Sequence, residues 1–203
     1  MPKNESLNVR RLVTSGILIG VAVALSLVKL FQMPFGGEVT LGAMIPLLII
    51  SYRYGSKWGV FSATVYGLLQ MVILGFFGLA GTPLDFAIVI FLDYIAAFAV
   101  IGLADLFRKP FRNKYLGYGF SCAAVMLLRF LFHTLSGVII WTVAFPPEIE
   151  IVVNGVTETV LMNPWIYSLG YNVVILVEMI LTLILISAPN ASFHRMVEIG
   201  KKI

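Results

Sequence analysis

The sequence is poor in charge. Only 12% of its 203 residues are Asp, Glu, Lys or Arg, against roughly 25% in soluble domains. Hydrophobic residues make up 60% and the mean hydropathy is +0.98. A chain of this length in water has no core large enough to hide that much apolar surface, and lipid is the simplest place for it. Cysteine is nearly absent. Cys122 is alone and sits in an apolar run, so no disulfide forms within the chain and the residue fits a small buried one. Catalytic signatures are missing as well. Gly55-Ser56-Lys57 lacks the spacing of a phosphate-cradling loop, and there is no His-Glu-x-x-His, paired-cysteine site or nucleophile elbow. These gaps predict a protein that is not an enzyme and carries no cofactor or metal. No repeat of the kind built into secondary transporters is visible. Uphill transport by such a chain would draw its energy from other subunits.

What remains is a series of apolar runs separated by turn residues. They predict an all-α integral membrane fold, a single membrane domain over residues 1–203, with six transmembrane helices near 12–31, 41–52, 58–77, 84–107, 115–143 and 164–188. The breakers are Met33-Pro34-Phe35-Gly36-Gly37, Gly78, Gly81-Thr82-Pro83 and Pro189-Asn190. The run after Arg10 and Arg11 is long and has no small-x-small cleavage site, so it is expected to be a retained first helix. The second run is short and calls for tilt or shielding by protein.

Charge sets the expected sidedness. Twelve of the fourteen Lys and Arg fall before segment one (Lys3, Arg10, Arg11), between two and three (Arg53, Lys57), between four and five (Arg108, Lys109, Arg112, Lys114) and after six (Arg195, Lys201, Lys202). The opposite loops hold Glu38, Glu148, Glu150 and Glu158, with only Lys29 nearby. Positive charge stays inside, so both termini are expected in the cytoplasm of a multi-pass plasma-membrane protein. The net charge of +4 is therefore a topology signal, and no nucleic-acid partner is implied. The long outer loop, 144–163, alternates β-branched residues around Asn154-Gly155, which predicts a small extracellular hairpin or lid between helices five and six.

Ionisable groups inside spans are costly and mark candidate sites. Asp93, His133 and Asn172 lie about eight to ten residues from the outer ends of segments four, five and six, roughly 12–15 Å deep at ~1.5 Å per residue. Arg129 and Glu178 lie one layer deeper and suit a structural ion pair between segments five and six. Arg129, His133, Gly137 and Trp141 follow at i+4 steps on one helical stripe. Gly137 is expected to leave a gap beside the imidazole for a flat ring. With Tyr94, Trp165, Tyr167 and Tyr171 added, the chamber holds a carboxylate, an amide, an imidazole and several aromatics. That set suits an aromatic, cationic ligand. Residues alone also leave open a membrane enzyme or a standalone proton-coupled carrier using Asp93 and His133. Gly16, Gly20 and Ala24 form a small-residue stripe on segment one, suited to close approach by another helix, within the chain or from a partner.

Several stretches carry a resemblance. They are Asn8-Val9-Arg10, Leu41-Gly42-Ala43-Met44-Ile45-Pro46, Arg53-Tyr54-Gly55-Ser56-Lys57, Gly67-Leu68-Leu69-Gln70, Phe91-Leu92-Asp93-Tyr94, His133 through Gly137 to Trp141, and Tyr167-Ser168-Leu169-Gly170-Tyr171-Asn172. Over most of its length the chain resembles the substrate-binding S component of energy-coupling factor (ECF) transporters, and within them the thiamine-specific family. The resemblance implies that Asp93, Tyr94, His133, Gly137, Trp141, Tyr167 and Asn172 line a thiamine pocket, with the acid beside the thiazolium. It implies that Gly16 and Gly20 face a transmembrane coupling subunit, and that two ATPase subunits supply energy. The chain departs from that family in several ways, a longer loop between segments five and six among them. Asp93 stands where Glu is usual. The first-loop tryptophan is replaced near 35–37. The aromatic after Trp141 falls near 145–147. A tyrosine before segment four has no counterpart around Pro83. Those changes leave open a thiamine precursor, a phosphate ester or another cationic heterocycle.

Overall fold

The computed structural model describes residues 3–33, 37–73, 81–153, 156–187 and 191–198. The expected turn at 34–36, the end of segment three through Gly78, the Asn154-Gly155 tip, the stop at 188–190 and Lys201 and Lys202 lie outside the described residues.

Seven helical stretches occur among the described residues, where six were expected. They are α1 (Lys3–Ser26), α2 (Ile45–Tyr54), α3 (Ser56–Ile73), α4 (Pro83–Arg108), α5 (Lys114–Ala144), α6 (Pro164–Ser187) and α7 (Ala191–Glu198). Of these, α1, α4, α5 and α6 contain stretches long and apolar enough to cross a membrane. Three helix starts follow from the sequence. Thr82 and Asp85 form a reciprocal capping box ahead of Pro83. The Asn113 side chain accepts from the backbone N–H of Tyr115 at 2.9 Å, and that of Asn163 accepts from Trp165 at 2.9 Å, next to Pro164.

The second segment differs in kind from a spanning helix. With 10 residues, α2 is only about 15 Å long. Every residue from Pro46 to Tyr52 is buried, so its short length is hidden by the surrounding helices. Ser51 on α2 donates to the Gly102 carbonyl at 2.6 Å and accepts from the Asp105 N–H at 3.0 Å. Helices α3 and α4 touch backbone to backbone. A Cβ at Gly67 would lie 2.1 Å from the Tyr94 carbonyl oxygen, and one at Gly102 would lie 2.1 Å from the Val60 nitrogen. These glycines, rather than Gly16 and Gly20, make the close helix contact inside the bundle. A Cβ at either Gly16 or Gly20 would meet nothing within 4 Å.

Segment one ends earlier than expected. Its helix stops at Ser26, whose hydroxyl bonds back to the Val23 carbonyl at 2.7 Å and accepts from Gln70 at 2.7 Å. Such local bonding competes with continued helix. The chain then forms β1 (Lys29–Gln32), paired antiparallel with β2 (Glu38–Thr40). A second hairpin, β3 (Glu148–Val153) with β4 (Val156–Leu161), follows α5 in regular antiparallel register. The last helix, α7, seats Phe193 and Val197 in the core, with the Phe193 ring edge-on to Tyr52 and Tyr118.

Candidate functional site

Two π-helical turns shape the site. Ile90–Ala96 in α4 carries Asp93 and Tyr94, and Gly137–Trp141 in α5 ends on Trp141. Such widened turns recur at functional sites because the extra residue redirects side chains. Here they bring α4 and α5 together around a cavity of about 150 Å³.

Asp93 is 8% exposed and accepts three hydrogen bonds. The donors are His133 Nδ1 at 2.9 Å, Ser136 Oγ at 2.7 Å and Trp141 Nε1 at 3.0 Å. No Lys or Arg contributes to this set. His133 Nε2 is buried without a partner. Trp141 also stacks on Phe145, with ring centroids 6.1 Å apart and planes 19° apart.

Beyond this acid lies a second one. Glu178 is 1% exposed. Its Oε2 lies 2.6 Å from Arg129 Nη1, and its Oε1 accepts from Thr40 Oγ1. The Arg129 guanidinium rests over the Phe98 ring, 4.9 Å from its centroid. Arg129 and Glu178 line the same cavity as Asp93.

Helix α6 closes another side. Ser168 donates to the Thr134 carbonyl at 2.8 Å, and Asn172 Nδ2 donates to the Ser168 carbonyl at 2.9 Å. A Cβ at Gly137 would fall 2.0 Å from Ser168 Oγ. The expected gap beside the imidazole is thus occupied by Ser168, and Gly137 serves the approach of α5 to α6. The Tyr171 hydroxyl accepts from the Gly37 N–H at 3.1 Å, and its ring lies 6.1 Å from that of Tyr167.

The structure therefore brings Asp93, Tyr94, Arg129, His133, Gly137, Trp141, Tyr167, Tyr171, Asn172 and Glu178 to one cavity. Trp165 is half exposed and outside the lining. Gly16, Gly20 and Ala24 are exposed on the flank of α1, away from the cavity. The hairpin between α5 and α6 exists, but none of its described strand residues lines the cavity. That wall comes from the first hairpin, through Gly37, Glu38 and Thr40, and Glu38 is further tied to Lys29 at 2.9 Å.

Sequence reasoning missed Ser136 and Thr40. Ser136 stands three residues after His133, so helical spacing places both on one face. Thr40 had no such signal, because its partner is far along the chain. Among the described residues, no group of three His, Cys, Asp or Glu is placed to hold a metal ion.

Comparison with known proteins agrees with this architecture. Residues 12–198 match the family model described as thiamine transporter protein (Thia_YuaJ). The chain is 31% identical over 204 residues to the thiamine transporter ThiT of Bacillus subtilis (strain 168), covering 92% of this chain and 96% of that protein. A solved structure of ThiT from Listeria monocytogenes superposes with a TM-score of 0.63 at 21% identity, over 92% of this chain and 98% of that one. The structural likeness shows a shared fold. The sequence matches extend over nearly the whole chain, so this multi-pass membrane protein belongs to the thiamine transporter family.

Proposed function

We propose that the chain is the thiamine-binding S component of an ECF-type importer, capturing the vitamin in the cavity around Asp93. One observation carries the reading. Asp93 is a buried carboxylate whose three protein donors include no Lys or Arg. A negative charge held this way favours a ligand that brings its own positive charge. The thiazolium of thiamine is a permanent cation, and Trp141, Phe145, Tyr167 and Tyr171 supply rings for a flat heterocycle. Tyr94, His133 and Asn172 complete the set of ligand contacts, with His133 Nε2 buried and unpartnered.

In this reading residues 1–203 act as one membrane domain. Both termini lie in the cytoplasm, because the basic loops cluster at one end of the bundle. The exposed stripe of Gly16, Gly20 and Ala24 meets the coupling subunit, and two ATPases drive release. Glycine-to-leucine changes at Gly16 and Gly20 together should spare binding and abolish uptake.

Titration of purified protein with thiamine, followed by quenching of Trp141, tests the capture step. Saturable quenching by thiamine is expected. Clear binding of riboflavin or biotin with no response to thiamine would overturn the assignment. The shorter Asp93 favours a second reading, a precursor or other cationic heterocycle as cargo. Competition against bound thiamine separates the two. Proton-driven uptake by this chain alone in liposomes would instead favour a standalone carrier.

A further inference from the structure

The cations at the basic end of the bundle fall into two groups. Around the α4–α5 connection Arg108, Lys109 and Lys114 are paired within the protein, and Arg112 is exposed. Arg108 and Lys109 reach Asp105 at 2.6 and 3.5 Å, and Lys114 reaches Glu198 at 2.9 Å. At the corner of α1, α2 and α3 the cations Arg11, Arg53 and Lys57 have no carboxylate in salt-bridge range among the residues whose side chains are described.

This corner is nevertheless built. Gly55, at φ 84°, turns α2 directly into α3 and carries Arg53 and Lys57 to the same end. The Arg11 guanidinium lies 5.6 Å from the Tyr54 ring centroid and 5.5 Å from that of Trp58. Arg53 lies 5.4 Å from the same Tyr54 ring. Trp58 is held in place by its indole N–H, which donates to Ser15 Oγ at 2.8 Å. Two guanidinium groups share one ring, with no carboxylate in salt-bridge range among the residues whose side chains are described. Arg53 Nε and Ser56 Oγ are buried without a hydrogen-bond partner.

Stacking occupies the faces of a guanidinium and leaves its N–H edges free for an oxyanion. Immediately next to the cations the surface turns apolar. Leu12, Val13 and Phe61 are each more than half exposed, at 59%, 55% and 56%. Free phosphate would use only the charged part of such a surface. An amphiphile uses both parts, with its phosphate on the cations and its chains along α1 and α3.

We propose that Arg11, Arg53 and Lys57 form a binding site for the phosphate headgroup of an anionic phospholipid. The site is independent of the cargo reading. Each cation adds to attraction for an anionic headgroup, and no carboxylate in salt-bridge range offsets it here among the residues whose side chains are described.

The test is native mass spectrometry of the full-length protein released from detergent supplemented with phosphatidylglycerol or phosphatidylcholine. The unmodified protein should retain phosphatidylglycerol roughly tenfold or more over phosphatidylcholine. The Arg11→Gln, Arg53→Gln, Lys57→Gln triple variant should lose that preference. A control of equal charge change, Lys109→Gln, Arg112→Gln, Lys114→Gln, should keep it. Circular dichroism and elution volume check folding, and Arg53→Gln alone replaces the triple variant where that unfolds. Equal loss in both triple variants would reduce the effect to net charge and overturn the site. Displacement of the lipid by millimolar inorganic phosphate would identify a free-anion site instead. Unchanged lipid retention, with loss of a co-purified acidic membrane protein, would assign the corner to that partner.

Discussion

Asp93 and Glu178 are both buried carboxylates on the same cavity, yet their surroundings differ in one decisive respect. Glu178 has a permanent cation, Arg129, at 2.6 Å, and a hydroxyl from Thr40. Its charge is neutralised, and the pair ties α5, α6 and β2 together. Asp93 has an imidazole, a hydroxyl and an indole. Its oxygens are hydrogen-bonded but its charge is not matched by Lys or Arg. The number of hydrogen bonds therefore does not separate a structural acid from a recognition acid. In the proposed reading, what separates them is whether the counter-charge belongs to the protein or arrives with a ligand.

The largest effect is expected from breaking the matched acid. Glu178→Gln leaves Arg129 buried and unpaired, and should cost about 3–5 kcal/mol of stability, read as a lower unfolding temperature in detergent. Replacing both partners, Arg129→Met with Glu178→Leu, should recover most of that loss. Failure to recover would mean that the pair does more than neutralise charge.

Asp93→Asn should act the other way round, with little loss of stability and about 100-fold weaker binding of thiamine, or ~2.7 kcal/mol. A neutral analogue of the same shape should lose little. Equal losses for charged and neutral ligands would place Asp93 in the same structural class as Glu178.

Ser136→Ala removes one donor to Asp93 and leaves the charge. Thiamine binding should weaken roughly fivefold, about 1 kcal/mol, by the same titration. Smallest of all is the second hairpin. Replacing β3 and β4 with a short flexible linker should change ligand affinity by less than about twofold, because none of their described residues lines the cavity. A larger loss in equilibrium binding would make that hairpin a lid after all.

Much of this was legible in the chain. That Asp93, His133 and Asn172 meet at one cavity followed from counting residues inward at helical rise. The i+4 spacing of Arg129, His133, Gly137 and Trp141 placed them on one stripe. The Asn163-Pro164 start of α6 was equally local. Ser136 was readable from its three-residue spacing to His133 but carried no charge to attract notice. Gly137 was misread as open space because Ser168, which fills it, sits on another helix. The strongest turn signal predicts the hairpin between α5 and α6, whereas the described strand residues that line the cavity, Glu38 and Thr40, belong to β2.

Composition and charge placement by themselves determined that the chain spans a membrane and which ends of its helices are basic, because transfer into lipid and loop charge depend on residue type and order. Helical period determined which polar side chains share a face. Only the tertiary structure decided their partners. The α3–α4 glycine contacts, the Thr40–Glu178–Arg129 set, the three donors on Asp93 and the rings beneath Arg11 and Arg53 all join segments distant along the chain. Such contacts depend on how helices pack and where their turns widen, and neither is written in the spacing of any one segment.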